Sequence, residues 1–152
     1  MTKQARKHAI GLAGEFLVAG ELLRRGVTAA VTYGNAKKSD VIAIHEGRAT
    51  AIEVKSTSET KWVLGGALPD ASSKLWVLVH LPREDDQSPK YFVLTSKELR
   101  TILLPEHEGY MQRYRVKWGK EFTGGGVVSI HQALLGQAHA GAWHKVMRAV
   151  GV

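Results

Sequence analysis

Two apolar segments separated by only two residues constrain the fold of this chain more than any other feature. Residues 40–45 (DVIAIH) and 48–55 (RATAIEVK) carry mostly apolar and β-branched side chains, and Glu46 and Gly47 lie between them. A two-residue connection of this kind closes a tight antiparallel turn. The two segments are therefore predicted to pair as a β-hairpin.

The length of the turn also predicts the register of the hairpin. His45 is expected to face Arg48. Counting back from that pair places Asp40 opposite Glu53, and because side chains alternate between faces, Lys55 lies on the same face. Opposed Cβ atoms lie roughly 5 Å apart, and two like charges at that distance destabilise a sheet. We therefore predict that a divalent metal bridges the two carboxylates, with the Lys55 ammonium beside it.

The other side chains of the hairpin are apolar on both faces, which predicts that further elements cover both faces. A simpler interpretation treats Glu53 and Lys55 as a solvated pair on an edge strand, and Asp40 as a turn residue. Either acid taken alone fits that interpretation. The joint pattern of two facing acids with a lysine on the same face favours the metal site.

The composition indicates one folded domain. The chain has 152 residues, 44% of them hydrophobic, which is enough to bury a core. It contains no cysteine, which excludes disulfides, thiol catalysis and cysteine metal ligands. No segment has the length and apolar character of a membrane span, and the basic N-terminus leads into a charged helix rather than a signal peptide. We therefore expect a cytoplasmic protein that does not contact a membrane.

The charge balance favours a polyanionic partner. Lysine and arginine outnumber aspartate and glutamate by 21 to 14, giving a formal charge of +7. Each phosphate that such a surface neutralises releases counterions, which favours nucleic-acid binding. Many small basic proteins bind no nucleic acid, so the charge is informative mainly beside the predicted metal site, because metal-dependent phosphodiester chemistry needs both.

Residues 4–25 predict a helix that ends at Gly26. One acid, Glu15, lies within the apolar sector of this helix, which otherwise contains Leu12, Phe16, Ala19, Leu22 and Leu23. An acid in that sector is costly to bury unless it is paired or linked to a metal. The alternative is a carboxylate that extends from the edge of the helix to solvent.

The rest of the chain predicts further strands and two more helices. The expected strands cover residues 27–33, 62–64, 75–80, 91–95 and 127–130. A helix is expected to start at Ser96, which carries a helix-start signature, and to end near Pro105. A C-terminal helix is expected to carry Trp143 and Val146.

Two basic segments are candidates for contact with nucleic acid. Lys37, Lys38 and Ser39 come directly before the first acid, where they would reach a phosphate or, equally, serve as ordinary loop residues. Residues 110–120 interleave aromatic and basic side chains, a pattern in which bases stack on rings and cations hold phosphates. The basic candidates in that segment are Arg113, Arg115 and Lys117. The alternative is an amphipathic strand that packs its aromatic side chains.

With these residues assigned, the pattern resembles the PD-(D/E)XK nuclease superfamily, and within it the archaeal Holliday junction resolvase-like nucleases. The matching residues are Glu15 on the first helix, Asp40 at the start of the second strand, and Glu53 and Lys55 on the third. The motif is short and the superfamily diverse. The resemblance is therefore specific for the fold and the site, and weak for the substrate.

The resemblance implies an α/β fold of the restriction-endonuclease-like type, with a mixed central sheet flanked by helices. It covers about residues 8–100, which places residues 1–104 in the nuclease-like core. Residues 105–152 have no counterpart in the resemblance and are expected to form a C-terminal extension packed on the same domain.

The resemblance also implies a metal-dependent endonuclease that hydrolyses phosphodiester bonds, with DNA favoured over RNA. Asp40, Glu53 and the backbone carbonyl of Val54 would hold Mg²⁺ or Mn²⁺. Glu15 would complete the ligand set directly or through a water. Lys55 would position or deprotonate the attacking water, or screen charge in the transition state. A resolvase also implies a homodimer, because two strands are cut in concert.

Two other functions stay open at this point. A non-catalytic nucleic-acid-binding or interaction module would keep the fold without the reaction, although such a module has little reason to retain paired acids and a lysine. A toxin, immunity or transposon-associated accessory would keep the chemistry and differ in its biological context.

Overall fold

The computed structural model describes residues 1–33, 39–123 and 126–152. They contain three α-helices, one 3₁₀ helix and seven strands. In chain order they are α1 (Lys3–Leu23), β1 (Thr28–Val31), β2 (Val41–His45), β3 (Arg48–Thr57), β4 (Lys61–Gly65), β5 (Leu75–His80), β6 (Lys90–Thr95), α2 (Ser96–Trp118), β7 (Val128–His131), the 3₁₀ helix (Gln132–Leu134) and α3 (His144–Ala149).

Five of the strands form a central mixed sheet in the order β1-β2-β3-β5-β6. The strands β3 and β5 are parallel, whereas the other neighbours are antiparallel. The strands β4 and β7 pair separately as a two-stranded antiparallel sheet. This mixed α/β architecture confirms the predicted fold class.

The central sheet separates two apolar cores. Alternate residues of β5 divide between them: Val77 and Val79 belong to one core, and Trp76 and Leu78 to the other. The helices α1 and α3 close the first core, and β4, β7 and the first turns of α2 close the second. Within the described ranges, no helix combines the length and apolar character needed to cross a membrane.

The predicted hairpin and its register are confirmed along the whole of β2. The two strands pair antiparallel with His45 opposite Arg48. Glu46 (φ 45°) and Gly47 (φ 80°) form the two-residue turn in left-handed backbone, which matches the twist of the strands that it joins. The pairing ends at Val41, one residue short of the pair of acids that the sequence predicts.

The expectation that other elements cover both faces of the hairpin is wrong. Val41 and Ala43 are fully buried on one face, in the core that α1 closes. On the other face Ile44, Ala49 and Ala51 are exposed. The reason is that β4, β7 and α2 pack over β5 and β6 and leave the β2–β3 end of the sheet open.

The helix α1 ends before Gly26 (φ 82°), as predicted, but its buried face differs from the predicted apolar sector. Val18 is fully buried, whereas Phe16 and Leu23 are 52% and 54% exposed. The contact that sets the rotation of α1 is a close approach of Gly14 to β3. That approach turns Val18 and Leu22, four and eight residues further along the helix, into the core.

The prediction that the second helix ends near Pro105 is wrong. The helix begins with the predicted start signature, because the Thr95 hydroxyl accepts the Glu98 N–H and the Glu98 carboxylate accepts the Thr95 N–H. It continues through the exposed Pro105 to Trp118, and Gly119 (φ 66°) caps it. A proline removes one hydrogen bond, but the helix formers that follow and the glycine cap support the later turns. The aromatic and basic segment is therefore helical, and the alternative of an amphipathic strand is wrong.

Candidate active site

Asp40 lies just before β2 and is tied to β3 by both its main chain and its side chain. Its N–H donates to the Ile52 carbonyl at 3.1 Å, and its Oδ2 accepts the Val54 N–H at 2.8 Å. The carboxylate thereby satisfies a β3 donor that a longer β2 would otherwise have paired. This side-chain hydrogen bond explains why the predicted pairing of Asp40 with Glu53 is not part of the ladder.

The Asp40 carboxylate is nevertheless a close neighbour of Glu53. The Val54 nitrogen is bonded to the Glu53 carbonyl carbon, so Asp40 Oδ2 lies within about 5 Å of the Glu53 Cα. The N–H and the C=O of one strand residue point to the same neighbouring strand, so the Val54 carbonyl also points to the Asp40 side of β3. Two carboxylates and one carbonyl therefore occupy the same end of the hairpin.

Glu53 is held between two ammonium groups. Lys55 Nζ lies 3.4 Å from Oε1 of Glu53, and Lys74 Nζ lies 3.1 Å from Oε2. Lys55 is a predicted site residue, whereas no motif in the sequence predicts Lys74. Lys74 directly precedes β5 and reaches Glu53 only because β3 and β5 pair in parallel. Its one sequence signal is its place two residues before Trp76, on the same face of the strand.

Glu15 is buried, with 8% of its surface exposed, so the alternative of a carboxylate that extends to solvent is wrong. Its neighbour Gly14 lies directly on β3: a Cβ at that position would come within 2.9 Å of Ser56 Cβ and 3.7 Å of Val54 Cγ1. The helix α1 therefore crosses β3 over Val54 and Ser56, on the strand that also carries Glu53 and Lys55. The approach of Glu15 to the other three predicted site residues stays a prediction.

The oxygen donors at this end of the hairpin fit a hydrated divalent cation. Among residues 1–33, 39–123 and 126–152, no three aspartate, glutamate or histidine side chains come close enough together to hold a metal ion. Mg²⁺ usually keeps several waters and takes only one or two carboxylates from the protein. Asp40, Glu53 and the Val54 carbonyl are hard donors of that kind, so the residues present suit Mg²⁺ or Mn²⁺.

The loop before Asp40 gives less information about phosphate contacts. Ser39 is buried, and its backbone carbonyl accepts the Thr32 hydroxyl. Contact of Ser39 with a phosphate stays a prediction. Lys37 and Lys38 lie outside the described residues.

The predicted basic residues of the C-terminal segment lie on the exposed half of α2. The helix buries no residue beyond Leu103, and Arg113, Arg115 and Lys117 are all exposed. Arg115 is neutralised by Glu121, whose Oε1 lies 2.8 Å from its Nε. In the part of the chain that the structure describes, Arg113 and Lys117 form no ion pair.

Aromatic rings line the same half of α2. Tyr110, Tyr114 and Trp118 follow one another at four-residue spacing, with ring centroids 6.5 Å and 6.3 Å apart. Phe122 packs edge-on against Tyr110 and Tyr114. Lys117 Nζ lies 5.2 Å from the centre of the Trp118 ring. The rings thus pack partly on one another, while Tyr110 and Trp118 keep about half of their surface exposed, at 47% and 58%.

A solved nuclease structure shares the overall fold of this chain. The bacterial homing endonuclease I-Ssp6803I superposes on the chain with a TM-score of 0.53 at 13% identity, and the match covers 93% of each chain. The chain has a restriction-endonuclease-like fold. The match extends past residue 100, so the fold likeness includes part of the segment for which the sequence resemblance offers no counterpart.

A Holliday junction resolvase gives a second, partial match. Hjc from the archaeal hyperthermophile Archaeoglobus fulgidus matches with a TM-score of 0.41 at 21% identity, over 57% of this chain and 78% of its own. The sequence matches no protein-family model and no curated protein. Identities this low describe the fold, and the reaction has to be argued from the residues of the site.

Proposed function

We propose that this chain is a metal-dependent endonuclease that hydrolyses phosphodiester bonds in DNA. One observation carries the proposal: at the open end of a nuclease-fold sheet, the Asp40 carboxylate accepts the N–H of Val54, the residue between the ion-paired Glu53 and Lys55 in the sequence. This arrangement sets two acids and a lysine at one solvent-accessible point, as hydrolysis of a phosphodiester requires.

The proposed metal ligands are Asp40, Glu53 and the Val54 carbonyl, with Glu15 completing the set directly or through a water. A divalent cation bound there supplies the positive charge that polarises a phosphate and makes a coordinated water more acidic. The remaining functions fall to the protein. The Val54 N–H orients the Asp40 carboxylate, so that this ligand needs no reorganisation when a substrate arrives.

Lys55 is proposed to act on the phosphate and the attacking water. Its ammonium lies 3.4 Å from Glu53 Oε1 and about one-third of its side-chain surface is exposed, at 33%. It is thus fixed next to the proposed ligands and still accessible to a phosphate. In that place it stabilises negative charge as the phosphate is attacked, and it holds the water in line.

The substrate class rests on charge and on α2. The formal charge of +7 favours a polyanion, and Arg113 and Lys117 have ammonium or guanidinium groups to offer along an exposed helix. DNA is proposed rather than RNA because the resemblance of the site residues to the Holliday junction resolvase-like nucleases implies it. A cytoplasmic location and a homodimer on a branched substrate belong to the same proposal.

The first experiment is a cleavage assay on a labelled panel: four-way junction, flap, linear duplex, single-stranded DNA and structured RNA, each with Mg²⁺, Mn²⁺ or EDTA. The test variants are Asp40→Asn and Glu53→Gln, which keep the shape of each side chain and remove its charge. Asp86→Asn, in an exposed loop, is the matched control. The expected result is metal-dependent cleavage by wild type and control, reduced by at least about 100-fold in both test variants.

The alternative of a non-catalytic nucleic-acid-binding module predicts a different result from the same assay. Wild type, Asp40→Asn and Glu53→Gln would then bind the panel equally well, and none of them would cleave it under any metal condition. That outcome would reject the endonuclease and leave α2 as the candidate binding surface.

A further inference from the structure

Among the described residues, Lys74 is the cation at the candidate site that the predicted motif does not contain. Its Nζ lies 3.1 Å from Glu53 Oε2 and 5.4 Å from the centre of the Trp76 ring. Glu53 and Trp76 are neighbours in the parallel pairing of β3 and β5, and Lys74 lies two residues before Trp76. Lys74, Trp76, Glu53 and Lys55 therefore share one face of the sheet.

The main chain of Lys74 is fixed at both of its polar groups. Its carbonyl accepts the Ser96 N–H at 2.7 Å, and its N–H donates to the Ser72 hydroxyl at 3.3 Å. The start of β5 is thereby joined to the start of α2. The Cα of Lys74 thus has a set position relative to Glu53, while its side chain is 39% exposed and accessible to a ligand.

A purely structural role does not account for this lysine. Ion pairs that are exposed to this degree contribute little to folding stability, because water screens the charges and both side chains lose freedom. Glu53 moreover has a second cation, Lys55, on its other oxygen. The Glu53 carboxylate alone does not neutralise both ammonium groups.

We propose that Lys74 is a phosphate-binding residue of the nucleic-acid site. Its ammonium stays paired with Glu53 until a substrate binds. When nucleic acid binds, with or without a divalent cation, Lys74 releases Glu53 Oε2 and keeps its contact with the Trp76 ring. Its ammonium then binds a phosphate of the nucleic acid on the β5 side of Glu53. This inference rests on the proposed nuclease function, and it adds a second phosphate contact on a different strand from Lys55.

The test compares Lys74→Met, Lys74→Arg and Lys97→Met with wild type. Methionine keeps the length of the side chain and removes its charge, and arginine keeps the charge. Lys97 is a matched control: it is exposed, it lies close by because its N–H donates to the Ser72 carbonyl, and it has no ion pair in the described part of the chain. Two properties are measured: Mn²⁺ affinity without nucleic acid, by calorimetry, and binding of a labelled 30-base-pair duplex in EDTA across a salt series, by anisotropy.

Lys74→Met is expected to raise the affinity for Mn²⁺ and to lower the affinity for the duplex. Lys74→Met should bind Mn²⁺ about fivefold more tightly, because an ammonium that competes for Glu53 and repels the metal is gone. The same variant should bind the duplex about three- to tenfold more weakly at about 0.1 M salt, with the salt slope reduced by about 0.9. Lys74→Arg should bind the duplex as wild type does, and Lys97→Met should show wild-type Mn²⁺ affinity.

The inference is overturned if Lys74→Met matches Lys97→Met in both duplex binding and Mn²⁺ affinity while wild type cleaves DNA; the endonuclease then stands without it. A different result would reject the endonuclease and keep the phosphate-binding role of Lys74. If wild type neither cleaves nor binds Mn²⁺, but Lys74→Met alone loses duplex affinity and salt slope, the endonuclease fails and Lys74 remains a phosphate ligand. Thermal midpoints of all variants show whether a loss of binding reflects a loss of fold.

Discussion

Asp40 has a structural and a proposed chemical role in the same carboxylate. Oδ2 accepts the Val54 N–H, which keeps a β3 donor paired where β2 ends. The negative charge and oxygen lone pairs of the same carboxylate are what a metal ligand needs. Because one oxygen carries the structural role, the two roles can be separated by replacing the charge and the acceptor independently.

We predict that Asp40→Asn and Asp40→Ala lose cleavage alike and differ in stability. Both remove the charged ligand, so both should fall by at least about 100-fold in rate. The amide oxygen of asparagine can still accept the Val54 N–H, whereas alanine leaves that donor without its partner and should lower the free energy of unfolding by about 1–2 kcal/mol. Urea unfolding measures the difference. Equal stability of the two variants would show that the hydrogen bond does not hold the hairpin end together.

At the level of elements, the packing of α1 on β3 depends on one glycine. A Cβ at Gly14 would overlap Ser56 Oγ and come within 2.9 Å of Ser56 Cβ. We predict that Gly14→Ala lowers the free energy of unfolding by about 1–3 kcal/mol, because α1 must move off the sheet. The same displacement should reduce cleavage, since Glu15 is the next residue. Urea unfolding and the cleavage assay together test this expectation.

Gly20 provides the matched control for Gly14. It lies in the same helix, but no atom lies within 4 Å of its Cβ position. Gly20→Ala should therefore raise the free energy of unfolding by about 0.5–1 kcal/mol, through helix propensity alone. A loss of stability in Gly20→Ala, or none in Gly14→Ala, would contradict the proposed packing. The sequence alone does not distinguish Gly14 from Gly20, and only the tertiary contact does.

The attachment of α3 depends on a cluster of polar groups. Lys145 Nζ donates to the Val93 carbonyl (2.9 Å) and to Glu98 Oε2 (2.9 Å), and it lies 3.0 Å from His139 Nδ1. Burial and the nearby Lys145 charge lower the pKa of His139. For Glu98, burial opposes ionisation, but the Thr95 N–H and Lys145 outweigh it, so the pKa of Glu98 is lowered as well.

We predict that the His139 contribution makes the fold less stable on the acid side of neutrality. The unfolded chain binds a proton at this histidine below about pH 6.5, whereas the folded chain resists protonation, so the free energy of unfolding falls as pH falls through that range. The glutamate with the lowered pKa loses its contribution only at lower pH. His139→Gln should therefore show a smaller drop in thermal midpoint between pH 7.5 and 5.5 than wild type. A variant of the exposed His144, changed to Gln, should follow wild type.

For the whole molecule, the exposed half of α2 is where charge is available for a long nucleic acid. Arg115 is already neutralised by Glu121, whereas Arg113 and Lys117 have no ion pair within the described residues. We predict that Arg113→Ala and Lys117→Ala each weaken duplex binding several-fold and reduce the salt slope by about 0.9, and that Arg115→Ala has a smaller effect. Anisotropy across a salt series measures all three variants. Equal effects of the three would indicate a diffuse charge effect and no defined interface.

The sequence by itself determined the hairpin, its register and the placement of Glu53 and Lys55 on one face of β3. These features depend on a two-residue turn and on the alternation of side chains, both of which act over a few residues. The start of α2 was also predictable, because the Thr95–Glu98 capping box is local. The fold class followed from the resemblance that the site residues carry.

Only the tertiary structure decided which face of the hairpin is open, how α1 is rotated and where Lys74 lies. Each depends on contacts between segments far apart in the chain. These contacts are the parallel pairing of β3 with β5, the close approach of Gly14 to Ser56, and the packing of β4, β7 and α2 over one end of the sheet. Local spacing contains no information about such contacts, because they are chosen by the burial of apolar surface across the whole molecule.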